Sequence, residues 1–185
     1  MRRKAIKLTL LSAVTIILSA CGGSDIETPE DASNSLIGSW DYTKTNNGAT
    51  TECVIGGEYG GNNNGRKINL TFDNSVMTWT SKSYNNKDCN ENGLDRYIIE
   101  KWDYTVTDTP KDKNGGSYTK LKIVNTGTTV KKGTVYKLHT GEERGLAIKF
   151  LDKGRISILD GDADSLNSVD VNKLKFETNP YFQKR

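Results

Sequence analysis

The stretch "LIGSWDYT", residues 36–43, carries the first clear structural pattern of the chain. Leu36, Gly38, Trp40 and Tyr42 occupy every second position, with shorter or polar residues between Gly38, Trp40 and Tyr42. Successive side chains of a β-strand point to opposite faces, so this alternation predicts a strand with one buried face. We therefore expect a first strand here whose tryptophan points into a core.

The same two-residue alternation, or a β-rich composition, recurs along the rest of the chain. Further strands are predicted around Ile68 to Phe72, Val76 to Tyr84, Ile98 to Val106, Thr119 to Ile123, Tyr136 to Leu138, Leu146 to Phe150, Ile156 to Ile158, and Leu174 to Phe176. Short segments rich in Gly, Asn and Asp separate them. The pattern predicts an all-β domain of about eight to ten antiparallel strands. Two architectures satisfy it: a closed up-and-down barrel, which leaves no exposed edges, and a two-sheet β-sandwich.

Gly38-Ser39-Trp40 in this first strand resembles the Gly-x-Trp signature of lipocalins and the wider calycin group. The resemblance implies a lipocalin-like barrel of eight strands, in which the tryptophan closes one end beneath a basic residue. The closing segment Tyr181-Phe182-Gln183-Lys184-Arg185 offers basic candidates for that residue, among them Arg185, and Lys175 is a further candidate. A wider order is similar to small lipocalin-like domains of bacterial lipoproteins: Cys53, then Leu70-Thr71-Phe72, then Tyr84 and Cys89.

The first twenty residues have the pattern of a secretory signal peptide, with a basic head, an apolar run and small residues before Cys21. The apolar run is shorter than the roughly 20 residues that a membrane-spanning helix needs. Leu18-Ser19-Ala20-Cys21 resembles the lipobox of bacterial lipoproteins. The resemblance implies cleavage before Cys21, a diacylglyceryl thioether on its sulfur, and acylation of the new amino terminus. An Asp directly after the cysteine would resemble the inner-membrane retention signal of enteric bacteria. Gly22 stands there instead, so the resemblance favours the outer membrane of a Gram-negative bacterium.

These features predict three segments. Residues 1–20 form a lipoprotein signal peptide, residues 21–35 form a lipidated flexible tether, and residues 36–185 form the β-barrel domain. The tether is rich in Gly, Ser, Pro and acidic residues and has too few apolar side chains to order itself. The lipid anchor makes the membrane of the cell envelope the first expected partner.

The charge balance argues against a nucleic-acid partner. Residues 1–20 carry four of the 26 Lys and Arg residues and none of the 23 Asp and Glu residues, which leaves 22 basic and 23 acidic residues. The remaining charges are interspersed, whereas a nucleic-acid-binding domain shows a basic face or stripe.

Cys53 and Cys89 are the two cysteines that remain once Cys21 is lipidated. Exported proteins meet an oxidising compartment, so this pair predicts a disulfide. The bridge closes a loop of about 37 residues, which the chain-entropy model values at roughly 4 kcal/mol. A metal site is the alternative, but the separations to His139 match no zinc-ligand spacing.

The sequence offers no recognisable catalytic arrangement, and we expect neither catalysis nor a cofactor. The chain has one histidine, His139, at the end of a predicted strand, and no Gly-x-Ser-x-Gly segment. Asp160, Asp162 and Asp164 alternate as in a calcium-binding loop, but the sixth position is Ser165 and no flanking helices are predicted. We interpret residues 159–170 as a solvated acidic loop and predict no metal site.

Two functions from different classes fit these observations. The first is the binding of a small apolar or amphipathic ligand inside or at the mouth of the barrel, with Trp79, Trp102, Tyr104 and Phe150 as candidate lining residues. The second is a non-catalytic interaction protein of the envelope that contacts another protein through its long polar loops, as an enzyme inhibitor, an assembly factor or a surface adhesion factor.

Overall fold

The computed structural model describes residues 28–55, 64–135, 138–152, 154–176 and 180–185. The signal peptide, the lipidation of Cys21 and the first part of the tether lie outside the described residues, as do Tyr136 and Lys137 of one predicted strand. In chain order the elements are α1 (Pro29–Leu36), β1 (Gly38–Asn46), β2 (Ala49–Thr51), β3 (Val54–Ile55), β4 (Gly65–Asp73), β5 (Val76–Tyr84), β6 (Leu94–Asp108), β7 (Tyr118–Lys132), β8 (Glu143–Asp152), β9 (Arg155–Gly161), α2 (Ala163–Ser168) and β10 (Tyr181–Lys184).

Eight of the strands form a closed antiparallel barrel in sequential up-and-down order. β4 to β9 each pair with the next strand along the chain, β10 pairs with β9, and β1 pairs with both β4 and β10. The double pairing of β1 closes the ring, which removes the exposed edges that an open sheet would leave. The predicted all-β barrel is therefore confirmed, and the alternative of a two-sheet sandwich is wrong. β2 and β3 are short additions, paired with β1 and β4 at one end of the barrel.

Helix α1 lies at the end of the barrel where β1 begins. The Thr28 hydroxyl accepts a hydrogen bond from the Asp31 amide at 3.1 Å, and the Asp31 carboxylate accepts one from the Thr28 amide at 3.2 Å. This reciprocal capping box, with Pro29 as the first helical residue, starts the helix. At the other end of the helix Leu36 is fully buried in the barrel core. The flexible tether predicted for residues 21–35 is therefore wrong for residues 29–35, because α1 packs there.

The core fills the half of the barrel next to α1, which we call the closed end. Inward-facing side chains from all eight barrel strands meet there. The buried residues of this cluster are Leu36, Trp40, Ile68, Leu70, Phe72, Met77, Trp102, Tyr104, Leu121, Ile123, Leu146, Ile148, Ile156 and Phe182. The opposite half, where β4 and β6 begin and β5 and β9 end, is the open end.

The final strand is not the one that the alternation predicts. Leu174 and Phe176 lie in an irregular segment between α2 and β10, and the last strand of the barrel is Tyr181–Lys184. The Phe176 ring packs against Tyr118 with ring centroids 5.3 Å apart. Thr119 and Leu121 of β7 face inward, since their cross-strand partners Ile148 and Leu146 belong to the core. Tyr118 precedes Thr119 and therefore faces outward, so the segment that packs on it covers the outside of the barrel. Phe176 thus finds apolar cover without joining the sheet.

Candidate ligand-binding cavity

Trp40 closes one end of the barrel, as the lipocalin resemblance implies. Its side chain is 1% exposed, and its indole Nε1 donates a hydrogen bond to the Leu36 carbonyl at 2.8 Å. The Lys184 ammonium lies 5.2 Å from the centre of the indole ring, within cation–π range. A basic residue of the closing segment thus covers the indole as predicted, but it is Lys184, and the individual candidates Lys175 and Arg185 are wrong. The register explains the difference, because Lys184 is the direct cross-strand partner of Trp40.

Gly38 is required by the same arrangement. Its φ of +128° lies in a region that other residues rarely adopt, and a Cβ atom there would meet the Lys184 side chain at 3.0 Å. The glycine of the signature therefore makes room for the cation that covers the tryptophan.

Arg185 binds the carboxylate of Asp41 instead of the indole. Its Nη2 donates to Asp41 Oδ1 at 2.8 Å, and its Nε also contacts this carboxylate. Asp41 is buried, and its Oδ1 accepts a second hydrogen bond from the Asn69 amide at 2.9 Å. The hydrogen bonds to Asp41 raise the pKa of Arg185 above its ordinary value. This pair joins the last strand to β1 and β4, where the barrel closes.

The open end of the barrel contains a deep cavity. Its larger part has a volume of about 860 Å³, and a second part of about 490 Å³ shares six lining residues with it, so the two are continuous. We call the combined space the mouth cavity. Apolar lining comes from Ile68, Trp79, Ile98 and Ile158, among others, and basic lining comes from Lys44, Arg66, Arg96, Arg144 and Lys175. The interior is thus half filled and half open, with both apolar and charged walls.

Two of the four candidate ligand-lining residues face this cavity. Trp79 lines both of its parts, and Trp102 lines the smaller, deeper part although only 4% of its surface is exposed. Tyr104 is buried lower in the core, where its ring meets Phe72 edge-on at 5.5 Å. Phe150 packs against the same core cluster. Neither of them lines the mouth cavity. The prediction that Tyr104 and Phe150 line the ligand site is therefore wrong, and both are core residues.

Charged side chains inside the cavity form a network that sequence reasoning missed. Arg144 donates from Nη1 to Asp160 at 2.7 Å and approaches Glu142 at 3.5 Å. Burial raises the pKa of the Asp160 carboxyl, and the nearby Arg144 partly offsets this effect. Burial likewise raises the pKa of the Glu100 carboxyl, against the attraction of His139 and Arg144. His139, predicted as an exposed strand-end residue, instead lies in the loop before β8, lines the cavity and contacts Glu142.

The acidic stretch of residues 159–170 is not a loop throughout. Asp160 ends β9 facing inward, and Asp162 caps α2, its carboxylate accepting a hydrogen bond from the Ser165 amide at 2.9 Å. The loop interpretation is therefore wrong for the part that forms β9 and α2. Within the described residues, no group of three or more His, Cys, Asp or Glu side chains is placed to hold a metal ion.

The predicted disulfide between Cys53 and Cys89 is present, with Cα atoms 5.8 Å apart. It joins the segment before β3 to the connection between β5 and β6, at the open end. It packs so closely on Gly65 that a Cβ atom there would meet Cys89 Sγ at 2.5 Å and Cys53 Sγ at 2.9 Å. The bridge therefore ties together one side of the rim of the mouth cavity.

The architecture defines the class of the protein at the level of the fold, an eight-stranded antiparallel β-barrel consistent with the lipocalin-like fold. Comparison of the chain with protein-family models, with curated proteins and with solved structures found no match. Across the described parts of the chain, none of the helices has the length and apolar character that would let it cross a membrane.

Proposed function

We propose that this protein is a lipid-anchored envelope lipoprotein whose barrel binds a small amphipathic ligand through its open end. The observation that carries the proposal is the mouth cavity, whose larger part of about 860 Å³ is within the range of 300–1,000 Å³ typical of small-molecule sites. Its mixed lining of Trp79, Ile98 and Ile158 with several cations suits a ligand that has both an apolar and a polar part.

The proposed role is binding without catalysis. Two pairs of titratable groups at the cavity are engaged with each other, since Arg144 pairs with Asp160 and His139 contacts Glu142. A general acid or base has to be aimed at a substrate atom, and these four side chains are directed at one another instead.

The proposed lipid anchor also defines how the barrel faces the membrane. Cys21 precedes Thr28 by only seven residues, which span at most about 25 Å when fully extended. Thr28 caps α1, and α1 packs at the closed end through Leu36 and through the Ser33 hydroxyl, 3.3 Å from the Tyr104 hydroxyl. The closed end therefore faces the membrane at short range, and the mouth cavity opens away from it.

The anchor is tested with the Cys21→Ser variant in cells given radiolabelled palmitate. We expect the wild-type protein to incorporate the label and the variant to remain unlabelled, either soluble or unprocessed. Label in the variant would show that the lipobox interpretation is wrong. Cys53→Ser is the matched control, because it removes a different cysteine and should leave labelling intact.

The ligand-binding role is tested by native mass spectrometry of the protein purified from its own envelope. We expect a retained adduct of lipid or metabolite size that is lost on denaturation. A bare mass together with a co-purifying protein would instead support the second function, that of an interaction protein acting through its loops.

A further inference from the structure

Building on the proposed ligand-binding role, we propose that the mouth cavity selects a ligand with one anionic group and that Arg66 and Arg96 bind this group. The proposal concerns the specificity of the cavity and rests on the arrangement of these two side chains across three neighbouring strands.

Strand register brings the two arginines to the same level of the barrel. Ser83 of β5 is the cross-strand partner of Arg66 on one side and of Arg96 on the other. Directly opposite residues of an antiparallel pair share a face, so all three side chains point inward. All three line both parts of the mouth cavity.

Small residues between the arginines leave room for a ligand group. Ser83 separates them, and Ser81 lies one step deeper on the same strand face. The guanidinium of Arg66 lies over Ser81, whose hydroxyl is 3.4 Å from Nε and 3.3 Å from Nη2. Guanidinium groups are planar forks that match carboxylate, sulfonate and phosphate oxygens, so two arginines on either side of Ser83 suit the binding of an anionic group.

An apolar surface lies directly below this level. Ile68 and Ile98 are the cross-strand partners of Ser81, and Trp79 follows one step deeper on β5. A ligand with its anionic group at the arginines can therefore place its apolar part against Trp79 and the two isoleucines. The two parts of the site fix the polarity of the ligand, with its charged end near the rim.

Among the described residues, the acidic groups that line the cavity lie at other positions. Asp160 is bound to Arg144 on the opposite wall. Glu100 is the cross-strand partner of Trp79 and is four residues from Arg96, which corresponds to about 13 Å along a strand. Asp95 is exposed beside Arg96 at the rim, while Lys44 and Lys175 add two cations to the same lining. In the part of the lining that the structure describes, basic groups thus predominate around the arginine level.

The test compares three amphiphiles with the same ten-carbon chain and different head groups: decanoate, decanol and decyltrimethylammonium. Binding to residues 21–185 carrying Cys21→Ser is measured by calorimetry and by the change in tryptophan fluorescence. We expect decanoate to bind at least about tenfold tighter than the other two, since a hydrogen bond to a charged group contributes about 1.5–3 kcal/mol. The preference should shrink as the salt concentration rises.

Arg66→Gln and Arg96→Gln should each weaken decanoate binding about tenfold or more and change decanol binding less than about twofold. Unchanged decanol binding also shows that the variant is folded. Lys101→Gln is the matched control, because it removes one positive charge from the outer face of β6 and should leave all three affinities unchanged.

The outcomes separate this proposal from the proposed function. Equal binding of decanoate and decanol, or no effect of either arginine variant, would overturn the anion site and leave the ligand-binding role standing. Tightest binding of decyltrimethylammonium would overturn the anion site in favour of Glu100 and Asp160 as the recognising groups. Failure of all three amphiphiles to bind would count against both the anion site and the ligand-binding role.

Discussion

The closed end of the barrel offers the sharpest test of how this fold is stabilised, through the substitution Trp40→Phe. Phenylalanine keeps an aromatic ring but has no donor for the buried Leu36 carbonyl, which Trp40 Nε1 meets at 2.8 Å. Leaving a buried acceptor without its partner costs about 1–3 kcal/mol. The smaller ring also weakens the contact with the Lys184 ammonium, worth about 0.5–1 kcal/mol. Together these contributions predict a loss of about 1.5–4 kcal/mol in the free energy of unfolding.

Lys184→Met separates the two contributions. Methionine keeps most of the apolar stem of the side chain and removes only the ammonium, so its expected cost is about 0.5–1 kcal/mol. The double variant should cost less than the sum of the two single variants, because Trp40 and Lys184 are in contact and share one interaction.

The assay is reversible urea unfolding of residues 21–185 carrying Cys21→Ser, followed by far-ultraviolet circular dichroism with the disulfide intact. If the midpoint urea concentration falls while the slope of the unfolding free energy against urea concentration stays the same, only the stability has changed. If Trp40→Phe costs no more free energy of unfolding than Lys184→Met, the hydrogen bond to the Leu36 carbonyl does not contribute to closing the barrel.

Three further predictions concern other parts of the fold. Gly38→Ala should lower the free energy of unfolding by about 1–3 kcal/mol, since alanine is strained at a φ of +128° and its Cβ approaches Lys184; an unchanged urea midpoint would contradict this. Replacing both Cys53 and Cys89 with serine should lower the free energy of unfolding by roughly 4 kcal/mol in the same assay. The far-ultraviolet spectrum of the native state should remain that of the barrel. A variant as stable as the parent would show that the bridge contributes nothing to stability. Glu100→Gln should stabilise the protein at neutral pH, because burial raises the pKa of this carboxyl in the folded state. The wild-type free energy of unfolding therefore falls as the pH rises from the ordinary carboxyl pKa of about 4.3 through the raised value, and glutamine avoids this loss. The gain should vanish below about pH 4, and a gain of equal size at pH 3 and pH 7 would rule out this explanation.

Most of the barrel could be predicted from the chain because strand alternation is a local property. Residues such as Ile68, Leu70 and Phe72 face inward in the structure as their spacing predicts. Leu174 and Phe176 have the same spacing and do not form a strand, because Phe176 is covered by the Tyr118 ring on the outside of the barrel. The spacing of apolar residues predicts that they are buried, but not what buries them.

For helix α1 the sequence contains a local signal for a helix start, but the polar composition of the segment predicts disorder instead. Thr28, Pro29 and Asp31 have the spacing of a capping box. The segment is polar, with Ala32 and Leu36 as its only buried residues, and so few apolar side chains predict a disordered tether. The helix is stable because the closed end of the barrel receives those two side chains.

The candidate site could be predicted only in part. The spacing of Arg66 with Ile68 and of Arg96 with Ile98 places both arginines on inward faces once the strands are known. Their meeting on either side of Ser83 depends on the register of three strands, and a shift of one residue would turn either arginine outward.

The class of fold, the pairing of Cys53 with Cys89 and the importance of Gly38 and Trp40 can be inferred from the chain alone, since each follows from the spacing and type of residues. The folded barrel was needed to show that Lys184 covers the indole, that Tyr104 and Phe150 belong to the core, and that the open half holds a charged cavity. These features depend on which strands become neighbours and on the register in which the ring closes. Closure of the sheet pairs residues more than a hundred positions apart, such as Trp40 and Lys184. A local sequence pattern does not specify which distant residues pair.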